Sequence, residues 1–301
     1  MDASTLRQQS RLLIRQLGML DSQCGQMDLT PVEAHTLIEL GTQPFCAHDM
    51  AIQLRIDQPR ASRTLAILLN QGLVCTAAHP ADPHRQCYQL TLAGQHKLTM
   101  LHQQLNQQVD DFLDQLDSDE ITQLGTSLNL YIKAMQVTKV QQGYTFRQLT
   151  PQDNAAMAAV VRRVSAEFGL TPDKGYGVAD PTLDCLSDVY ASNECAYWVI
   201  EKNNRILGGG GIAPLIGEPG VCELQKMYFL PELRGKGFAR RLTATALKFA
   251  RAQGFDACYL ETTACLHAAL RVYEGMGFAP LPHALGTTGH DACEIRLLKA
   301  L

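Results

Sequence analysis

Residues 222–255, CELQKMYFLPELRGKGFARRLTATALKFARAQGF, set a strand, a proline, a basic glycine-rich turn and a helix in immediate succession. The turn is Arg234-Gly235-Lys236-Gly237-Phe238-Ala239, and behind it Leu242, Ala246, Phe249 and Ala250 share one helical face. A glycine turn before a helix exposes several backbone N–H groups, and the helix start adds about half a positive charge. Glycine also lets the backbone approach an anion with no Cβ in the way. Two readings are open for the stretch at this point: a basic helix start on a solvated face, and a cradle for a group carrying phosphates. It is no Walker A loop, because G-x-x-x-x-G-K-[ST] is absent. The run of four glycines at 208–211 lies inside a hairpin strand, which assigns it to close strand packing and not to a dinucleotide fingerprint.

Outward from the turn the pattern is α/β. A strand in 144–150 and a helix in 151–168 come first. Strands at 196–201 and 205–213 follow, joined across Asn203-Asn204, a pair that tolerates the left-handed turn conformation. Then come a strand at 221–229, a helix at 235–253, a strand at 257–262, a helix at 266–275 and paired strands after 277.

The turn matches R/Q-x-x-G-x-G/A, and with ALRVYEGMGFAPL at 269–281 it resembles the GNAT superfamily of N-acetyltransferases across 144–301. The resemblance implies an α/β fold with a mixed, splayed central sheet and acetyl-CoA as cosubstrate. It implies that Met227, Tyr228 and Phe229 meet the pantetheine arm. Arg234, Gly235, Lys236, Gly237, Phe238, Ala239 and Arg240 would then surround the pyrophosphate. Glu223 stands where several family members place a general base, and Tyr273 where many keep a tyrosine that protonates the leaving thiolate. Such a pair suits the chemistry, because a free amine has a pKa of about 10 and cannot attack until a proton leaves. Two alternatives stay open: Glu223 as a salt-bridge partner of Lys226 or Arg296, and Glu261 as a rival base or amine ligand. Tyr273 as a packing residue against the cofactor is a third. The sequence departs from the family where Leu266 replaces an asparagine that often orients the cofactor.

The segment 168–195 covers the acceptor site in this fold, which makes Tyr176 and Tyr190 candidate substrate residues with Lys174 and Asp180, Asp184 and Asp188. Glu261 and His290, the latter in the GTTGHDAC stretch with Thr287 and Asp291, complete the candidates. Acids beside a basic group suit a small primary amine that is also a zwitterion, such as an amino acid or analogue.

The first half is glutamine-rich and helical, with Leu6, Leu12, Leu13, Leu17 and Leu20 on one face of a helix over 4–20. Thr30-Pro31 with Glu33 marks a helix start, and helices at 46–54 and 58–71 precede a strand–loop–strand over 73–92. Two further helices fill 93–137, divided at the acidic DSDE of 117–120. Helix, helix and hairpin in that order form the plan of a winged helix-turn-helix. Residues 28–100 resemble the MarR family of regulators, including D-x-x-R at Asp82–Arg85. The resemblance implies a homodimer on double-stranded DNA, with 4–20 and 93–137 at the dimer interface. The candidate DNA contacts are Gln58, Pro59, Arg60, Ser62 and Arg63 at the front of the second helix, and Arg85 at the tip of the wing loop. Residues 1–143 carry 10 Lys and Arg against 14 Asp and Glu, so any such binding rests on a local patch and not on global charge.

The 301 residues thus divide into a winged-helix domain at 1–138, a linker at 139–143 and an acetyltransferase domain at 144–301. The ten cysteines form no C-x-x-C pair and read as reduced, buried small hydrophobes, with no metal-ligand spacing. With no apolar run near the roughly 20 residues of a membrane span and no signal peptide at the start, a cytoplasmic protein is expected. Three functions compete: an N-acetyltransferase fused to a DNA-binding regulator, a regulator whose second domain senses acetyl-CoA or a metabolite with little turnover, and a dimeric enzyme whose helix-turn-helix no longer touches DNA.

Overall fold

Leu37, Met50, Leu65 and Leu68 come from three successive helices of the first half, and in the computed structural model they meet in one core with Leu29, Val74 and Leu101. The structure describes residues 2–24, 27–79, 82–172, 177–288 and 293–301. Two compact units divide at Thr126/Ser127. The first holds α1 (Ala3–Gln16), α2 (Pro31–Leu40), α3 (Ala47–Leu54), α4 (Gln58–Asn70), the antiparallel pair β1 (Val74–His79) and β2 (Asp82–Leu90), and α5 (Leu92–Leu113). The helix start read at Thr30 is present and takes the form of a capping box: the Thr30 backbone N–H donates to Glu33 Oε2 at 2.7 Å, and the Glu33 N–H to Thr30 Oγ1 at 3.3 Å. Helix α1 stops at Gln16, four residues short of expectation, and the following Gly18 takes φ +66°. None of its residues is buried.

Helix α6 (Ser118–Val140) runs across the division between the units. The expected linker therefore begins inside a helix, and the turn follows at 141–143.

The second unit continues with β3 (Thr145–Gln148), α7 (Asn154–Glu167), the short α8 (Leu186–Val189), β4 (Ala196–Lys202), β5 (Arg205–Pro214) and β6 (Val221–Phe229). After these come α9 (Phe238–Ala252), β7 (Ala257–Thr262), α10 (His267–Glu274), β8 (Ala279–Pro280) and β9 (Ile295–Ala300). The sheet order is β3-β4-β5-β6-β7-β9-β8, antiparallel throughout except for the parallel pair β6/β7. Asn203 and Asn204 take φ +51° and +59° at the β4–β5 turn, as that dipeptide predicts. Helix α9 begins three residues later than the sequence pattern suggests, because Gly235 and Gly237 both sit at positive φ and keep the turn out of the helix. Its face of Leu242, Ala246 and Ala250 packs into the core beside the sheet.

The 208–211 glycines lie in β5, where neighbours come too close for a Cβ. A methyl at Gly211 would stand 2.6 Å from both the Tyr190 and Tyr197 rings. Gly211→Ala is therefore expected to destabilise the protein by about 1–3 kcal/mol through overpacking, read from the urea midpoint.

Candidate active site

Strand β6 pairs with β7 only over Val221–Glu223 against Ala257–Tyr259, although β6 continues to Phe229 and β7 to Thr262. Beyond Glu223 the two strands diverge, and the β6 edge from Leu224 to Phe229 has no strand beside it on that side. On the other side a bulge intervenes: Gly211 opposes Gln225 and Gly209 opposes Tyr228, leaving Lys226 and Met227 against Gly210. Lys226 takes φ +50° there, and its carbonyl accepts a hydrogen bond from Tyr197 Oη at 2.9 Å.

A cleft of about 1360 Å³ occupies the gap, bordered by the β6 edge, the glycine turn, the start of α9, Glu261 and Tyr273. Among the described residues, the amides of Gly235, Gly237, Phe238, Ala239 and Arg240 donate to no backbone carbonyl. Open amides at a helix start, next to a vacant strand edge, fit an extended arm carrying a diphosphate.

The acid–base candidates sit at the root of the divergence. Glu223 is buried at 3% exposure, and Gln225 Nε2 donates to its carboxylate at 2.5 Å. Burial is the main force raising its pKa to about 7, with the Glu261 charge adding to it and the Gln225 hydrogen bond opposing it. Glu261 has a different setting. It accepts from Tyr259 Oη at 2.6 Å and Thr288 Oγ1 at 2.8 Å, with Arg296 at 3.8 Å. The alternative ion pairs of Glu223 are absent among the described residues: Lys226 pairs with Asp180 at 2.8 Å and Arg296 with Glu261. Tyr273 is buried, its hydroxyl lies 3.6 Å from Met227 Sδ, and desolvation keeps its proton on far above neutral pH.

Several expected residues are placed otherwise. Tyr190 does not border the cleft; it is buried against Tyr197 and donates to Gln225 Oε1 at 2.8 Å, because its ring fills the space that Gly211 leaves. It touches Glu223 only through Gln225, a residue the sequence reading passed over. Arg234 borders the cleft but its guanidinium is bound by Glu167 and by the Phe229 carbonyl at 3.1 Å. The Lys236 ammonium turns to the Glu232 carbonyl and leaves the cleft wall to its neighbours. Arg240 lines the cleft with Nη1 at 3.3 Å from the Gly275 carbonyl. Tyr176 and His290, with Lys174 and Asp291, lie outside the described residues.

In the first unit Gln58, Pro59, Arg60, Ser62 and Arg63 are all exposed at the front of α4. Leu65 and Leu68 are buried behind them, whereas Leu69 is 38% exposed. Arg85 lies within β2 and not at a loop tip, and its Nη2 reaches Cys46 Sγ at 2.9 Å and Asp49 at 3.4 Å at the start of α3. That ties the strand to the helix.

The sequence pattern of the Acetyltransferase (GNAT) family matches residues 165–278. A 161-residue stretch, 53% of the chain, is 56% identical to an Escherichia coli K12 protein named as the uncharacterized N-acetyltransferase YjgM, and covers 96% of that protein. The chain belongs to the GNAT acetyltransferase family. It is an N-acetyltransferase, and acetyl-CoA is its cosubstrate. N-acetyltransferase 8B of Rattus norvegicus is 34% identical over 34% of this chain, and its Homo sapiens counterpart 33% identical over 31%. The chain spans less than half the length of those two relatives, at 45% and 44%. Among the described residues, no helix is long and apolar enough to cross a membrane.

The raised pKa of Glu223 has a stability consequence. Between about pH 4.5 and 7 the native state holds a proton that the unfolded chain has lost, so stability falls as pH rises through that window. Glu223→Gln removes the penalty. It is expected to stabilise the protein at pH 8 by up to about 3 kcal/mol and to change little at pH 4.5, as measured by urea unfolding at both values.

Proposed function

We propose that the chain acetylates a small primary amine, an amino acid or analogue, with Glu223 as general base and Tyr273 as proton donor. The observation that carries this reading is the desolvated Glu223 carboxyl, with its pKa near 7, in the same cleft as the open amides and Tyr273. Bound acetyl-CoA supplies an activated acetyl thioester. A base tuned close to neutrality takes an ammonium proton better than a carboxylate of ordinary pKa. Glu261 is the poorer candidate, since two hydroxyls and Arg296 already occupy its carboxylate. Tyr273 keeps its proton because it is buried, which suits a donor to a leaving thiolate. Lys226, which borders the cleft, and its ion-pair partner Asp180 supply one charge of each sign, in keeping with an acceptor bearing both.

The first half we read as a MarR-like DNA-binding homodimer. In support, Arg60 and Arg63 are free-standing on the exposed front of α4, ahead of a two-stranded hairpin. Leu12, Leu17 and Leu20 in and after α1, and Leu130, Ile132 and Met135 on α6, are exposed apolar residues suited to a second copy of the chain.

Thiol release from acetyl-CoA across a panel of amines tests the enzyme. Glu223→Gln is expected to lower kcat about 10²–10⁴-fold, and the acid limb of kcat/KM in the unaltered protein should fall near pH 7. Tyr273→Phe is expected to lower kcat with KM for acetyl-CoA unchanged. Tight acetyl-CoA binding with no thiol release from any amine would instead mark a sensor. For the first half, retardation of upstream DNA should weaken as salt rises and vanish in the Arg60→Ala, Arg63→Ala double variant. No retardation at low salt would sink the DNA reading while leaving the acetyltransferase untouched.

A further inference from the structure

The glycine turn is held from behind by a residue outside the segment that matches the family pattern. Gln141, just after α6, is buried at 7% exposure, and both ends of its carboxamide are engaged. Its Nε2 donates to the Lys236 carbonyl at 2.9 Å, and its Oε1 accepts from Arg241 Nη1 at 2.9 Å. Arg241 is fixed in turn over the Phe146 ring, 4.7 Å from its centre. One turn back along α6, Val137 closes on the same spot: a Cβ on Gly237 would stand 2.8 Å from Val137 Cγ1. Gln141 and Val137 both border the cleft.

We infer that Gln141 is a positioning residue for the diphosphate of acetyl-CoA, acting on the turn backbone and not on the ligand. A trans peptide points its C=O and N–H in opposite directions. Holding the Lys236 carbonyl therefore sets the direction of the Gly237 N–H, one of the open amides of the turn. Gly235 and Gly237 lack the steric restraint that a side chain would give, so a turn that binds anions through its backbone needs an outside restraint to keep its amides convergent. Gln141 supplies it for Lys236-Gly237, and by accepting from Arg241 it joins the turn to the first residues of α9 with one side chain. The argument rests on acetyl-CoA as cosubstrate and is independent of which residue serves as base.

Calorimetric titration of the full-length chain with acetyl-CoA, paired with thermal unfolding without ligand, tests this. Gln141→Ala is expected to raise Kd about tenfold, because the Lys236 carbonyl loses its donor and the Gly237 amide its fixed direction. Gln141→Glu keeps an acceptor for Arg241 but loses the donor to Lys236 and puts negative charge behind the turn. It should weaken binding more than Gln141→Ala does, by an amount that shrinks as salt rises. If Gln141→Ala does not fold, Gln141→Glu carries the test. A purely structural role would lower Tm and leave Kd within about twofold of the unaltered protein, and that result in both variants overturns the inference. Failure of the unaltered chain to bind acetyl-CoA would strike at the cosubstrate assignment, which this comparison keeps separate.

Discussion

The parting of β6 from β7 after Glu223 is the constraint on which the rest of the second unit depends. Parallel strands in register would have hydrogen-bonded along their whole length and left no backbone free. Three paired residues are enough to anchor the strands at one end, and the bulge at Lys226 turns the remainder of β6 away. The open edge, the glycine turn and the start of α9 then share one cleft, and among the described residues the amides of the turn and of the start of α9 donate to no backbone carbonyl. Convergent amides at a helix start beside a vacant strand edge form one half of a binding surface, and the diphosphate and arm of the cosubstrate fit the other.

The same divergence explains why two carboxylates so close in the sheet behave differently. Glu223 and Tyr259 are register partners, and Glu261 follows two residues on. Glu261 accepts from the Tyr259 and Thr288 hydroxyls and faces Arg296 across the β7–β9 pairing. Glu223 has one amide donor, from Gln225, against nearly complete burial. Burial thus moves the Glu223 pKa toward neutrality, which is why it is our candidate for proton transfer. Gln225 links that carboxyl to Tyr190 in the core, so the ring that fills the space beside Gly211 also steadies the base candidate.

Basic side chains around the turn have less to do with the cleft than their number suggests. Arg234 is spent on Glu167, Lys236 on the Glu232 carbonyl and Arg241 on Gln141. Their charge still contributes a favourable field at short range, but what the turn presents at close quarters is backbone. Arg85 in the first unit follows the same pattern, locked against Cys46 and Asp49 instead of standing free.

Local signals were legible from the sequence. Periodicity, the Thr30–Glu33 helix start, the Asn203-Asn204 turn and the glycine spacing around Lys236 each depend on residues within a few positions, and the elements they mark form close to where they were read. Glu223 and Tyr273 were named from the family resemblance, and both border the cleft. Tertiary structure alone decided which groups pair. Gln141 and Lys236 are far apart in the chain, as are Tyr190 and Gln225 or Lys226 and Asp180, and no local pattern marks a glutamine as a clamp. Burial of Glu223, and with it the raised pKa, likewise comes from neighbours on other strands. Desolvation and hydrogen bonding act through space, so they become readable only once the chain has been brought back upon itself.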